Sequence, residues 1–145
     1  MSAQPKVTIS RVESWLRQNE IFYEIADETT IHAGFENCVM VFSDQHSDFL
    51  TVSSAWRGEF DPSTEPTLAV YVDEHNYAKL GPRASYTICE DGILRLEADM
   101  CLFTSEGMSN KQLHSGLGLS IVTILNVWDI VSKDFPALVT WAEED

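Results

Sequence analysis

Val70-Tyr71-Val72-Asp73-Glu74-His75-Asn76-Tyr77-Ala78-Lys79-Leu80 begins the run that decides the fold: a helix, then a β-hairpin, then a long apolar helix ending near Val131. Upstream, Pro66 stands where the first turn of a helix tolerates it, and Leu68, Tyr71, Val72, His75 and Ala78 make one stripe at helical spacing. Gly81-Pro82 stops the helix, because proline has no amide to donate to a further turn.

The hairpin is argued in register. A two-residue turn at Asp91-Gly92 pairs Cys89 with Leu94 and mixes apolar with charged residues on both faces. A three-residue loop, Glu90-Asp91-Gly92 with Gly92 left-handed, shifts the pairing by one. Ala84, Tyr86 and Ile88 then share a face with Leu94, Leu96, Ala98, Met100 and Leu102. Ser85, Thr87, Arg95, Glu97 and Asp99 take the other. Only the second register separates core from solvent, so it is the expected one. One face of the sheet is covered by helices and much of the other is wet.

The closing helix starts at a capping box of Ser109 with Gln112. Leu113, Leu117, Ile121, Ile124, Leu125, Trp128 and Val131 form a broad stripe, and from Leu119 to Val131 the polar residues are Ser120, Thr123, Asn126 and Asp129. A helix apolar nearly all round has to be covered on more than one side. Its own sheet covers one. A second subunit is a natural candidate for the other, since two-fold dimers are the commonest oligomers. Cover from the first helix and the Leu138 to Trp141 segment is the alternative. Leu117, Ile121, Ile124, Leu125 and Trp128 are accordingly the expected dimer or partner surface. Gly116 and Gly118 inside this helix permit close backbone packing, with no phosphate-loop pattern around them.

Ahead of that run, an amphipathic helix spans roughly Thr8 to Asn19, with Thr8 or Ser10 as cap and a capping box of Ser10 with Glu13. Strands follow at Ile21 to Ile25, Thr30 to Phe35, Cys38 to Ser43 and Phe49 to Arg57. Asp27-Glu28-Thr29 turns between the first two. The fold class is therefore α+β: an antiparallel sheet with helices packed on one face, in the order α-β-β-β-β-α-β-β-α. Residues 1–145 make a single domain, with 1–7 and 142–145 expected as loose ends.

Charge narrows the partners. Lys and Arg number 9 against 23 Asp and Glu, a formal charge of −14 spread along the whole chain. Such a field disfavours nucleic acid and anionic membranes and favours basic partners. No run of ~18 consecutive apolar residues crosses the sequence, and residues 1–6 carry no apolar signal region. Cys38, Cys89 and Cys101 are an odd set without CxxC spacing, read as buried thiols of a reducing cytoplasm. A cytoplasmic protein is expected.

No constellation carries chemistry. Asp44, His46 and Asp48 alternate in one loop and offer metal ligands, but such loops are ordinarily solvated and no second ligand pair lies near. His32, His75 and His114 are scattered; His75 reads as a hydrogen-bonded core histidine and His114 as facing solvent. Trp15, Trp56, Trp128 and Trp141 are large anchors of the kind enriched at binding surfaces, but Trp56 and Trp128 fall on apolar periodicity and read as core. Trp141 either docks back on the domain or meets a partner. The expectation is no catalytic residue, no cofactor and no metal.

The helix ending His75-Asn76-Tyr77-Ala78-Lys79-Leu80, the hairpin Tyr86 to Leu102 around Asp91-Gly92, and the final Ser109 to Val131 helix together resemble the YbjN family of bacterial proteins. Asn76 sits where that family commonly has an asparagine. The resemblance covers roughly Ile9 to Val131 and rests on apolar spacing with few fixed letters. It implies a fold similar to type III secretion chaperones, which are small, acidic, usually homodimeric and act by binding other proteins. It implies no catalytic residues. The expected function is a non-enzymatic protein-binding module, chaperone-like or regulatory. The alternative is a small-ligand sensor with a pocket between the last helix and the sheet, near Trp56 or Trp128.

Overall fold

Alternate residues of the central strands differ sharply in exposure, and that alternation builds the layers. Cys38, Met40 and Phe42 are fully buried while Val39, Val41 and Ser43 are half-buried; Leu50, Val52, Ser54 and Trp56 alternate in the same way. The computed structural model describes residues 4–46 and 48–141. Its elements are α1 (Ile9–Gln18), β1 (Tyr23–Asp27), β2 (Thr30–Gly34), β3 (Cys38–Ser43), β4 (Phe49–Trp56), α2 (Glu65–Ala78), β5 (Arg83–Ile88), β6 (Leu94–Phe103) and α3 (Asn110–Asp134). Short 3-10 turns at Pro62–Thr64 and Pro136–Leu138 are additional. The six strands form one antiparallel sheet in the order β1-β2-β3-β4-β6-β5. The expected α+β order is the observed one.

The hairpin takes the three-residue loop. Ile88 pairs with Leu94, Tyr86 with Leu96 and Ala84 with Ala98. The Cys89 amide donates to the Ile93 carbonyl at 2.8 Å, and Gly92 has φ +86°, where a side chain is strained. The chosen register is what puts Leu94, Leu96 and Ala98 inward with the buried residues of β4.

The first helix has the expected extent, with Thr8 and Asn19 as its caps, but its capping box and the strand after it depart from expectation. Thr8 caps it, accepting from the Arg11 amide; Ser10 lies inside the helix, and Glu13 instead accepts from the Tyr23 hydroxyl at 3.0 Å. The Ser10 and Glu13 box therefore does not form. After α1 the chain turns at Glu20, with φ +56°, so the strand begins at Tyr23 rather than Ile21. Residues 5–7 are held, not loose: Val7 is buried, and the Pro5 carbonyl accepts from the Met108 amide and the Arg11 guanidinium. Residues 142–145 lie outside the described residues, as do 1–3.

Three helices share the covered face. α1 lies over β2 and β3, α2 beside β5, and α3 over β6 and β4. The Ser109–Gln112 capping box is present. Gly116 gives the close approach expected of it, since a Cβ there would stand 3.0 Å from Leu102 Cδ1. By length and mean hydropathy, 1.4, α3 would pass for a membrane span. In this fold Leu113, Leu117, Ile121, Ile124, Trp128 and Val131 are spent on the core instead.

Two indoles fasten α3 down. Trp128 Nε1 donates to Ser54 Oγ at 3.0 Å, and that hydroxyl donates to the Ala98 carbonyl at 2.7 Å, joining α3, β4 and β6 in one buried chain. Trp56 Nε1 donates to Ser132 Oγ at 3.1 Å from the other side. A buried indole N–H without a partner is costly, so Ser54 is where a polar side chain belongs in an otherwise apolar layer. Ser54→Ala leaves the Trp128 N–H without its acceptor. The expected loss is about 1–3 kcal/mol, read as a lower urea midpoint at unchanged slope. An unchanged midpoint would show that this chain does not hold the helix.

Candidate interaction surface

The stripe expected as a partner surface is the inward face of α3. Leu117, Ile124 and Trp128 are at most 1% exposed, Ile121 is 6% exposed, and Leu125 is half-buried toward the core. That assignment is corrected: these residues are covered by their own sheet and by α1, whose Trp15 ring lies 6.5 Å from that of His114. His114 is accordingly half-buried rather than solvent-facing. What stays bare on α3 is a different set, Leu119, Val122 and Ile130, exposed by 61%, 56% and 52%. Separated by three and then eight positions, they line the outward side of the helix.

Beside this ridge a groove of about 260 Å³ runs between α3 and the end of α2. Thr123, Asn126 and Ile130 form one wall, and Tyr71, His75 and Pro82 the other. Two of its polar groups, the Tyr71 hydroxyl and the His75 ring, are already engaged. Tyr71 Oη donates to Asp134 Oδ2 at 2.7 Å; burial first, then that carboxylate, pushes the phenol well above its ordinary range. His75 Nε2 lies 2.9 Å from the Pro82 carbonyl, an acceptor, so that nitrogen carries the hydrogen. His75 is hydrogen-bonded as expected but lines the groove rather than the core. The space between α3 and the sheet, where a ligand pocket was expected, is filled by Trp56 and Trp128.

Other sequence candidates are dispersed. Asp44 Oδ2 accepts from the Ile9 amide at 2.8 Å and so serves the start of α1. His46 packs edge-on to Phe49, the Asp48 carbonyl accepts from Thr104, and Ser47 lies outside the described residues. Among the described residues no three His, Cys, Asp or Glu side chains gather as metal ligands do. His32 is exposed on β2. The cysteines differ: Cys38 is buried and its thiol pushed up to about 12 by that burial, Cys89 is half-buried, and Cys101 is exposed. Reading all three as buried was wrong for Cys101, which the hairpin register places on the open face with Asp99. Trp141 docks back, edge-on to Trp56 at 5.6 Å with Nε1 donating to Asn37 Oδ1.

The face of the sheet away from the helices is open. Val39, Val41, Ser53 and Ala55 floor a shallow hollow edged by Glu97 and Asp99. Desolvation, reinforced by Glu97, raises the Asp99 carboxyl above its ordinary range, although Arg83 across the ladder works the other way. A carboxyl raised on folding makes the native state bind its proton more tightly than the unfolded chain. Its stabilising contribution is therefore lost as pH climbs through the raised value. Asp99→Asn should remove that slope: as pH climbs above the ordinary carboxyl range the variant gains stability relative to the parent. Parallel urea midpoints over that climb would contradict it.

The fold is that of a known structure. YbjN from E. coli, a candidate transcription regulator, superposes with a TM-score of 0.73 at 15% identity, covering 91% of this chain and 97% of YbjN. An uncharacterized protein from Methanothermobacter thermautotrophicus matches with a TM-score of 0.51 at 12% identity, over 89% of this chain and 99% of that one. No family profile and no curated protein matches the sequence. At these identities the likeness is one of architecture, and the chain has a YbjN-like fold.

Proposed function

We propose that this protein is a non-enzymatic protein-binding module, regulatory or chaperone-like, that works from the outward ridge of α3. The observation that carries the reading is the exposure of Leu119, Val122 and Ile130 along one helix whose opposite face is fully used. Leu119 and Val122 are neighbours one turn apart and Ile130 lies two turns on, past Asn126; large apolar side chains grouped in water on one helix side mark interaction sites. The adjoining groove supports holding rather than chemistry, because Tyr71 and His75 are already committed to Asp134 and Pro82.

The first occupant of the ridge is a second copy, giving a homodimer about a two-fold axis. A regulatory role accords with the description carried by YbjN, but a charge of −14 argues against DNA as the thing bound. Regulation would run through proteins, in the cytoplasm, with basic partners favoured by the field.

The test is solution mass. The parent should scatter light as twice 16.3 kDa, and Leu119→Asp combined with Ile130→Asp should scatter as 16.3 kDa. Because both side chains lie on the surface, the double variant should keep its stability to within about 1 kcal/mol. A parent that stays at 16.3 kDa at every concentration, with no change on mutation, would contradict the dimer.

The groove favours a second reading, a small-ligand sensor, with the pocket between α2 and α3. A metabolite screen by thermal shift separates the two. A ligand at a hundredfold above its Kd adds about 2.7 kcal/mol, and Asn126→Trp, filling the groove, should abolish that gain.

A further inference from the structure

A sheet in this order has two edges, β1 and β5, and each presents unpaired peptide groups that invite a further strand. The two are guarded differently. β1 reads Tyr-Glu-Ile-Ala-Asp, carries Glu24 and Asp27, and is irregular between Ile25 and Asp27. Acidic side chains and a bulge are ordinary defences of an edge, and a second acidic copy would be repelled there.

β5 has neither defence. It reads Arg-Ala-Ser-Tyr-Thr-Ile and contains no acidic residue in a chain of net charge −14. From Ala84 to Cys89 the segment Ala-Ser-Tyr-Thr-Ile-Cys has no charge, no proline and no glycine. Six such residues rich in strand formers are the signature of a segment that stacks on its own copies. Ile88 at its end is 57% exposed.

α2 runs beside this edge, and one of its side chains takes up the strand's outward peptide groups. Asn76, near the end of α2, donates from Nδ2 to the Ala84 carbonyl and accepts at Oδ1 from the Ala84 amide, each at 2.8 Å. A carboxamide has the donor and acceptor of a peptide group, so Asn76 stands where one residue of a neighbouring strand would. In an antiparallel ladder the outward groups recur at every second residue, so Tyr86 and Ile88 present theirs on the same side as Ala84. The Tyr86 hydroxyl is engaged by Glu65 at 3.1 Å, at the other end of α2.

We propose that the β5 edge is a latent self-association surface, fitted to β5 of a second copy, and that Asn76 is the guard that keeps it closed. Antiparallel pairing of two β5 strands is self-complementary, and the strand itself brings no carboxylate to it; the one beside Tyr86, Glu65, is engaged by the Tyr86 hydroxyl. It is independent of the α3 ridge, since it lies at the sheet's outer edge.

Asn76→Leu keeps the volume and removes both hydrogen bonds. The Ala84 amide should be protected from hydrogen exchange in the parent and exchange several-fold faster in the variant. With rising concentration the variant should reach about twice the mass of the parent at the same concentration, and larger species beyond. Adding Ile88→Lys, which charges the freed edge, should restore the parental mass. Should Asn76→Leu fail to fold, Asn76→Ser, too short to reach Ala84, replaces it with the same expectation. A folded variant with a fast-exchanging Ala84 amide and the parental mass at all concentrations would overturn the proposal. So would an Ala84 amide already fast in the parent.

Discussion

The indole of Trp128 has to find an acceptor inside an apolar layer, and Ser54 is the residue that provides it. The resulting chain from Trp128 through Ser54 to the Ala98 carbonyl crosses from α3 to β4 and then β6. It fixes how far along the sheet α3 sits and which way the helix is rotated. With Trp128 inward, Leu113, Leu117, Ile121, Ile124 and Val131 follow it by helical spacing. Leu119, Val122 and Ile130 are then turned outward by the same geometry. The bare ridge is thus a consequence of the fastening, not a separate feature.

The remaining layers depend on that placement. α1 closes one flank of α3 through Trp15, and α2 meets the other near the C-terminal end of α3, where Tyr71 contacts Asp134 and Phe135. Beside that contact a groove opens between the two helices. The tail from Phe135 to Trp141 seals the end of the core over Phe60 and Trp56 rather than covering the ridge. Cover from the first helix and the tail, weighed as an alternative to a second subunit, accounts for the flank and the end of α3 but leaves its outer side in water.

Much of the architecture was legible because it is written in short-range patterns. The hairpin register follows from where Arg95, Glu97 and Asp99 must point, and the start of α3 from Ser109 and Gln112. The burial of Trp56 and Trp128 follows from periodicity. The functional surface was not legible in the same way. On a helix apolar nearly all round, composition does not say which stripe meets the sheet. The broader stripe went to the chain's own core, since burial within a chain costs no association entropy. The ridge is what remained. Cys101 was misplaced although the register already assigned it to the wet face with Asp99. The groove arises from the packing of α2 against α3, far apart in sequence, while the Asn76 contact with Ala84 spans only eight residues and depends on how the chain folds back at Gly81-Pro82, which periodicity does not signal.

The central claim is that α3 has one face committed to the fold and an opposite ridge kept for a partner. Methyl NMR with a soluble paramagnetic probe tests it directly. In dilute solution the methyls of Leu119, Val122 and Ile130 should be strongly broadened, while those of Leu113, Leu117 and Ile124 are spared. With increasing protein concentration the ridge methyls alone should become protected. Ridge methyls that stay broadened at every concentration, or inward methyls broadened as strongly as the ridge, would contradict the account.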